Sequence, residues 1–308
     1  MSRPNRDPYH AGQRTIQTYV GERKAALRNG RNISPAIPAA ARRFVSQQHY
    51  CLLGWRDGRN ALWASFLAGP QGFARSDGEG RSLVLTLSQD VPVLHRIPPF
   101  VALQPGNPIG VLFIELATRR RLSVKGSVGA FDGDRLQVSV ERAFPLCPKY
   151  IQRRRLTDQG PERWEGGIDT GNVLAPSLID WIASADTCFV ASAPSADAAD
   201  VSHRGGQPGF VRVTRDRLTI PDYSGNGMFN TLGNFERNPR AGLAFVDFER
   251  NRQLQLSGSV ELALDAGDAD GATGGTGRWW HFHPEQWIVS PLNRAFTWFY
   301  IDASPFNP

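Results

Sequence analysis

Asp200–Leu262 is the stretch that decides the fold: DVSHRGGQPGFVRV (200–213), LTIPDYSGNGMFNTLGNFERNPRAGLAFVDF (218–248) and RQLQLSGSVEL (252–262). Its four apolar runs, Phe210–Val213, Leu218–Ile220, Leu243–Phe248 and Leu254–Val260, have strand length and are bounded by turn residues. Between the second and third run lie small polar groups: Asp222, Ser224, Asn226, Asn230 and Thr231. Backbone and side-chain donors held between strands suit a phosphate or another anion.

Three strings in this stretch carry a resemblance. Ser202–Phe210 (SHRGGQPGF), Pro221–Asn226 (PDYSGN) and Phe229–Phe235 (FNTLGNF) are followed by Asn238-Pro239, a strand and a Gln-bearing strand. The arrangement resembles the FMN-binding split barrel of the pyridoxamine 5′-phosphate oxidase superfamily, and in particular an uncharacterised subgroup with these strings. The resemblance implies a mainly β fold with a few short helices.

The second half of the chain repeats the first. Ala64–Phe73 aligns without a gap to Val201–Phe210, Asn107-Pro108 to Asn238-Pro239, and Lys125–Val128 to Ser257–Val260, at offsets of 137, 131 and 132 residues. Two tandem split β-barrels forming a pseudo-dimer are expected. The predicted order is an N-terminal arm (1–40), barrel 1 (41–157), a Gly-rich polar linker (158–174) and barrel 2 (175–308). Within barrel 1, Tyr50–Trp55 and Ala61–Ala68 form a hairpin about Asp57–Asn60. Strands follow at Leu83–Leu87, Ile109–Leu116, Leu122–Val128 and Leu136–Ala143, with a turn at Gly129–Gly133 and a short helix at Cys147–Ile151. In the arm, Thr15–Asn29 reads as one amphipathic helix and His10 as a surface residue. A helix over Ser177–Ala185 opens barrel 2, and Phe296–Tyr300 closes it as a strand.

Split-barrel flavoproteins of this superfamily bind FMN across a two-fold interface, which a duplicated chain can build within itself. The first half has Ser88–Arg96 where the second has Pro221–Phe235, and lacks the Asn/Thr/Gly string. One FMN site per chain is therefore expected, in barrel 2, with barrel 1 degenerate and serving as its wall. The resemblance puts Arg204 at the phosphate, with Ser202 and His203 beside it, since a guanidinium fork can hold two phosphate oxygens. Where the family has Arg-Lys before Asn-Pro, this chain has neutral Asn230-Thr231, so their hydrogen bonds, with those of Asp222, Tyr223, Ser224 and Asn226, complete the expected site. A helix cap is the alternative role of Asn230-Thr231. Gln253, five residues before Gly258, matches the glutamine that contacts the flavin ring; Arg121, five before Gly126, is its first-half counterpart, and a cation there would favour the reduced ring.

Composition narrows the classes. The 308 residues are 41% hydrophobic with a net charge of +6 and a pI near 9.6, enough for one large core or two small ones. The arginines are scattered, without a basic stripe interleaved with aromatics, which argues against nucleic acid. Cys51, Cys147 and Cys188 are far apart and unpaired, arguing against disulfides and zinc and for a reducing cytoplasm. Without an apolar run near 18 residues a membrane partner is not expected. His281 and His283 would share a strand face without a third ligand, so no metal is expected. The resemblance implies an FMN-dependent oxidoreductase acting on a small molecule, with NAD(P)H or a partner reductase as electron donor. The arginine/histidine-bearing C-terminal motif of true pyridoxamine-phosphate oxidases is not recognisable. A haem-binding or haem-degrading split barrel and a non-catalytic flavin sensor or store are the alternatives, and the long basic arm and exposed barrel edges favour a homodimer.

Overall fold

The computed structural model describes residues 7–87, 103–132, 134–159 and 167–308; Ser88–Arg96, expected to replace the polar string in barrel 1, lies outside them. Three helices come first: α1 (Ala11–Tyr19), α2 (Arg23–Gly30) and α3 (Ala39–Ser46). The single helix expected over Thr15–Asn29 is thus two, because Gly21 takes a left-handed backbone (φ +77°) that turns the chain between them. His10 is a cap for α1: its ring accepts from Gln13 N while the Gln13 side chain accepts from His10 N, so both groups are withdrawn from the surface role expected of the histidine.

The first sheet contains β1 (Tyr50–Arg56), β2 (Leu62–Ala68), β3 (Ala74–Ser76), β4 (Ser82–Thr86), β5 (Pro108–Glu115), β6 (Arg120–Phe131) and β7 (Arg135–Pro145). Next come β8 (Arg153–Gln159), β9 (Asp169–Gly171) and α4 (Pro176–Ser184). The second half holds β10 (Thr187–Ser192), β11 (Asp200–Gly205), β12 (Arg212–Val213), β13 (Leu218–Pro221), α5 (Asn230–Arg237), β14 (Arg240–Asp247), β15 (Arg252–Ala263), β16 (Trp279–Pro291) and β17 (Phe296–Asp302). Strand order is β2-β1-β5-β6-β7-β4-β3 in one sheet and β11-β10-β14-β15-β16-β13-β12 in the other. The two orders are the same element for element.

Register repeats with order. Tyr50 faces Ala68 as Thr187 faces Gly205, and Leu53 faces Val111 as Val190 faces Leu243. Because side chains alternate faces along a strand, equal register puts equivalent residues on equivalent faces. Cys51, Leu53 and Trp55 of β1 enter the core of barrel 1, while Tyr50 and Leu52 enter a separate apolar seam. In β10, Cys188 and Val190 fill barrel 2, while Phe189 and Ala191 enter the same seam. The seam joins the barrels, so the strands facing it must be apolar on both sides. That is why their sequences read as continuous apolar runs.

Close approach across the seam depends on two equivalent glycines. A Cβ on Gly110 would lie 2.8 Å from Asp200 Cα, and one on Gly242 would lie 2.5 Å from Trp63 Cα. Either would push the barrels apart.

Several connections differ from expectation. Cys147–Ile151 is an irregular crossing with a turn at Lys149-Tyr150, not a helix, because Tyr150 is left-handed (φ +64°). The stretch read as a linker includes the end of β8 and all of β9, which pairs with β16. β17 pairs with β8 in a two-stranded ribbon instead of closing barrel 2. β6 runs on to Phe131 through part of the expected turn. Among the described residues no helix is long and apolar enough to cross a membrane.

Phe189 is 1% exposed at the centre of the seam. Phe189→Ala should cost about 3–5 kcal/mol, the range for a truncated buried aromatic; denaturant unfolding giving less than about 1 kcal/mol would show that the seam does not hold the halves together.

Candidate functional site

At one end of the seam, β11, the β13–α5 loop and the Cys147–Tyr150 crossing surround a cavity of about 120 Å³. Of the residues singled out from the sequence, Arg121, Ser202, His203, Arg204, Asp222, Tyr223, Asn226, Asn230 and Thr231 line it. Ser224 lies on the loop with its carbonyl accepting from the Tyr150 hydroxyl at 2.8 Å, and is not a lining residue.

Gln253 is not brought to this cavity. Its carboxamide oxygen accepts from Phe66 N at 2.8 Å on the opposite side of the seam. The pseudo-two-fold gives the reason. Gln253 of β15 reaches β2 as Arg121 of β6 reaches His203 of β11, so equivalent residues serve two different places. Neighbouring Gln255 donates to Ala64 O and Ser65 Oγ at 2.8 and 2.7 Å, so both glutamines of β15 bond to β2.

The cavity's cations and buried donors are incompletely used. Arg121 Nη1 lies 3.4 Å from His203 Nδ1. Since a guanidinium can only donate, Nδ1 accepts and the ring proton sits on Nε2. Burial, then the charges of Arg121 and Arg204, hold the His203 pKa well below its ordinary value, which keeps the ring neutral. Burial also lowers Arg121 to about 10, still cationic at neutral pH. His203 Nε2, Arg121 Nε and Arg204 Nε are buried without a protein partner. Buried donors are normally paired, and these three belong to side chains that line the one cavity, leaving it with polar groups that an acceptor could use.

Asp222, 4% exposed, is the counter-charge. It accepts from Arg278 Nε at 3.0 Å and lies 3.6 Å from Arg204 Nη2. β13–β16 pairing brings Arg278 there, over 50 residues along the chain, with Asp222 N donating to Arg278 O at 3.0 Å.

The N-terminus of α5 adds further donors. Phe229 precedes it in a left-handed conformation (φ +51°), and no side chain caps the first turn. Uncapped N–H groups there carry the positive end of the helix dipole. Asn230 and Thr231 are the first helical residues, so neither occupies the cap position. Thr231 Oγ1 lies 2.9 Å from Ser202 Oγ, joining helix to strand, while Asn230 Oδ1 accepts from Gln13 Nε2 at 2.5 Å. Tyr150 and Tyr223 form an aromatic wall, ring centroids 4.8 Å apart. Both hydroxyls are pushed up by burial, Tyr223 to about 12, so both remain protonated.

Lys149, Tyr150, Cys147, Phe229 and Arg278 join the site without having been expected there. Only tertiary pairing brings the first three beside β11, and their local sequence carries no ligand signal. His281 lies 3.0 Å from Thr219 Oγ1 across the sheet, and among the described residues no group of three or more His, Cys, Asp or Glu could hold a metal.

The profile of the family described as Pyridoxamine 5′-phosphate oxidase matches residues 174–295, which contain α4 through β16 and the polar string. The match lies in the second half of the chain, and the first half repeats that half's strand order. No curated protein matches it. Among solved structures, it is similar to HupZ of Group A Streptococcus (17% identity, covering 36% of this chain and 90% of that one, TM-score 0.30). An FAD-binding protein from Mesorhizobium loti aligns at 12% identity over 40% of this chain and 96% of that one, TM-score 0.29. HutZ, a haem storage protein from Vibrio cholerae, aligns at 12% over 40% and 95%, TM-score 0.28.

Buried neutral His203 gives a pH signature. Its folded pKa is below the ordinary 6.5, so the unfolded chain binds the proton first and stability falls as pH drops below about 6.5. His203→Gln should lose less stability than the parent between about pH 6.5 and 5; parallel curves from denaturant titrations would refute the neutral, buried state.

Proposed function

We propose that this chain binds one phosphorylated flavin, FMN, in the cavity between β11, α5 and the Cys147–Tyr150 crossing, as an oxidoreductase. The observation carrying this reading is the set of three orphaned buried donors, at Arg121, His203 and Arg204, beside an uncapped helix N-terminus and two tyrosine rings. Cationic donors and uncapped N–H groups suit a phosphate. Aromatic walls suit a planar ring.

In this reading Arg204, Ser202, Thr231 and the first turn of α5 hold the phosphate. Arg121 and His203 Nε2–H supply donors to the polar edge of the ring, and Asp222 with Arg278 fixes the Arg204 side chain. The bound flavin supplies hydride or electron transfer at N5. The chain's own part is to orient it, shield it between the barrels and place positive charge where negative charge develops. NAD(P)H or a partner reductase would be the electron source, and a small molecule the substrate.

His203 disfavours a haem reading. Iron ligation requires a free lone pair on one ring nitrogen, but the Arg121 contact takes up that of Nδ1 and leaves the proton on Nε2. A haem site would have to break that contact.

Arg204→Ala removes a charge-assisted contact of roughly 1.5–3 kcal/mol. FMN binding followed by fluorescence should weaken on the order of tenfold to over a hundredfold, with riboflavin little changed and Arg204→Lys recovering only part. Equal losses for FMN and riboflavin would refute the phosphate role.

Stoichiometry provides a separate check. Equilibrium dialysis should give about one FMN per chain, because the uncapped helix and polar string belong to barrel 2. Two tight equivalents would overturn the single-site reading. Reduction of the bound flavin by NAD(P)H or a reductase would separate an enzyme from a store.

A further inference from the structure

The wall of the cavity is held from behind by the N-terminal arm. His10, Gln13 and Gln17, spaced i, i+3 and i+7, share one face of the α1 region. His10 Nε2 lies 3.0 Å from Asn234 Oδ1, and Gln13 Nε2 donates to Asn230 Oδ1 at 2.5 Å. Gln17 Nε2 donates to Met228 O at 2.9 Å and is fully buried. In α2, Asn29 Nδ2 donates to Asn226 O at 2.6 Å. Asn226 and Asn230 line the cavity on their other side. The loop is pinned by the arm on one flank and by Tyr150, through Ser224 O, on the other.

We propose that the N-terminal arm is a latch on this cavity: its docking against α5 and the preceding loop positions the cavity wall, and arm docking and ligand retention form one coupled equilibrium. The proposal rests on the cavity being a ligand site, but not on the ligand being a flavin.

The packing suits an element that can release. Much of the joint is amide-to-amide and amide-to-carbonyl bonding, for which water is a ready substitute once the arm lifts. The apolar anchors are few: Ile16 in the core of barrel 2, and Tyr9 and Ala26 in a small cluster with Phe144 and Met228. The joint is also tight. A Cβ on Gly12 would lie 2.2 Å from Gly233 O, and one on Gly233 would lie 2.6 Å from Gln13 Cα. Docking therefore brings backbone against backbone, and a side chain at residue 12 cannot be accommodated. Lifting the arm frees Asn226, Met228 and Asn230 together, which loosens the wall of the cavity. By linkage, a ligand that bridges β11 and α5 must favour docking by the same factor by which docking tightens its binding.

Cys147 reports on the cavity without any ligand. It lines the cavity and is partly exposed, whereas Cys51 and Cys188 are fully buried. The test is the rate at which Cys147 of the ligand-free full chain reacts with a small aromatic disulfide. Gly12→Val should raise that rate by roughly fivefold or more, the low end of usual coupling, with Cys51 and Cys188 still unreactive. Gln17→Leu, which removes the bond to Met228 O and keeps the side-chain volume, should act in the same direction. If Gly12→Val exposes all three thiols through misfolding, Gln17→Leu decides. Unchanged Cys147 rates in the folded variants overturn the latch, whatever flavin does. Faster labelling in a protein that fails to bind FMN keeps the latch and sinks the flavin reading. Where FMN binds, it should slow amide exchange across Ala11–Tyr19 and dissociate faster from Gly12→Val; no change in either overturns the coupling.

Discussion

The strands β1, β2 and β5, with their counterparts β10, β11 and β14, bury both faces, and the rest of the molecule follows from that demand. One face fills a barrel and the other fills the seam. A half-chain alone would show a sheet face carrying Tyr50, Leu52, Phe66 and Leu112, or Phe189, Val201 and Ala244, to water. Exposed apolar area of that kind is what drives association. Here the partner surface lies in the same chain, and the seam sets where Arg121 of barrel 1 can meet His203 of barrel 2.

Equivalent positions in the two halves carry different chemistry. Arg121 and Gln253 are equivalent in register, yet the first is a buried cation against an unfilled cavity and the second is a carboxamide closed onto Phe66 N. Leu67 stands where Arg204 stands in the other half, and it packs into the core of barrel 1. At these two pairs of equivalent positions, one side of the pseudo-axis carries cations and the other an amide and an apolar side chain. The same backbone supports both because register fixes positions, while residue type decides whether a position is polar or closed.

Much of this architecture is legible in the amino-acid sequence. Nearly constant offsets in Ala64–Phe73, Asn107-Pro108 and Lys125–Val128 report the repeat because residues that pair in register cannot drift independently. The strings around Arg204, Asp222 and Asn230 lie within two neighbouring elements, so local sequence groups them. Lys149, Tyr150 and Arg278 cannot be found that way, since they reach the cavity through long-range pairing. Gln253 departs from its expected place for a related reason: family spacing locates a residue on its strand, but not on which side of the pseudo-two-fold it works. The arm departs from expectation because Gly21 turns the chain inside an apolar periodicity and because His10, Gln13 and Gln17 are polar. Polar residues are usually exposed, and these are withdrawn from water by specific partners.

Fusion of the two barrels also changes how the site responds to dilution. Arg121, Lys149 and Tyr150 come from one barrel, Arg204 and Asp222 from the other. Were the barrels separate chains, wall and grip would part as concentration fell, and occupancy would follow protein concentration as well as ligand. A covalent link makes their meeting intramolecular, with an effective concentration set by the connecting chain. The cavity therefore persists at any protein concentration at which the fold itself survives, and either half is free to change residue by residue without an identical change being imposed on its partner.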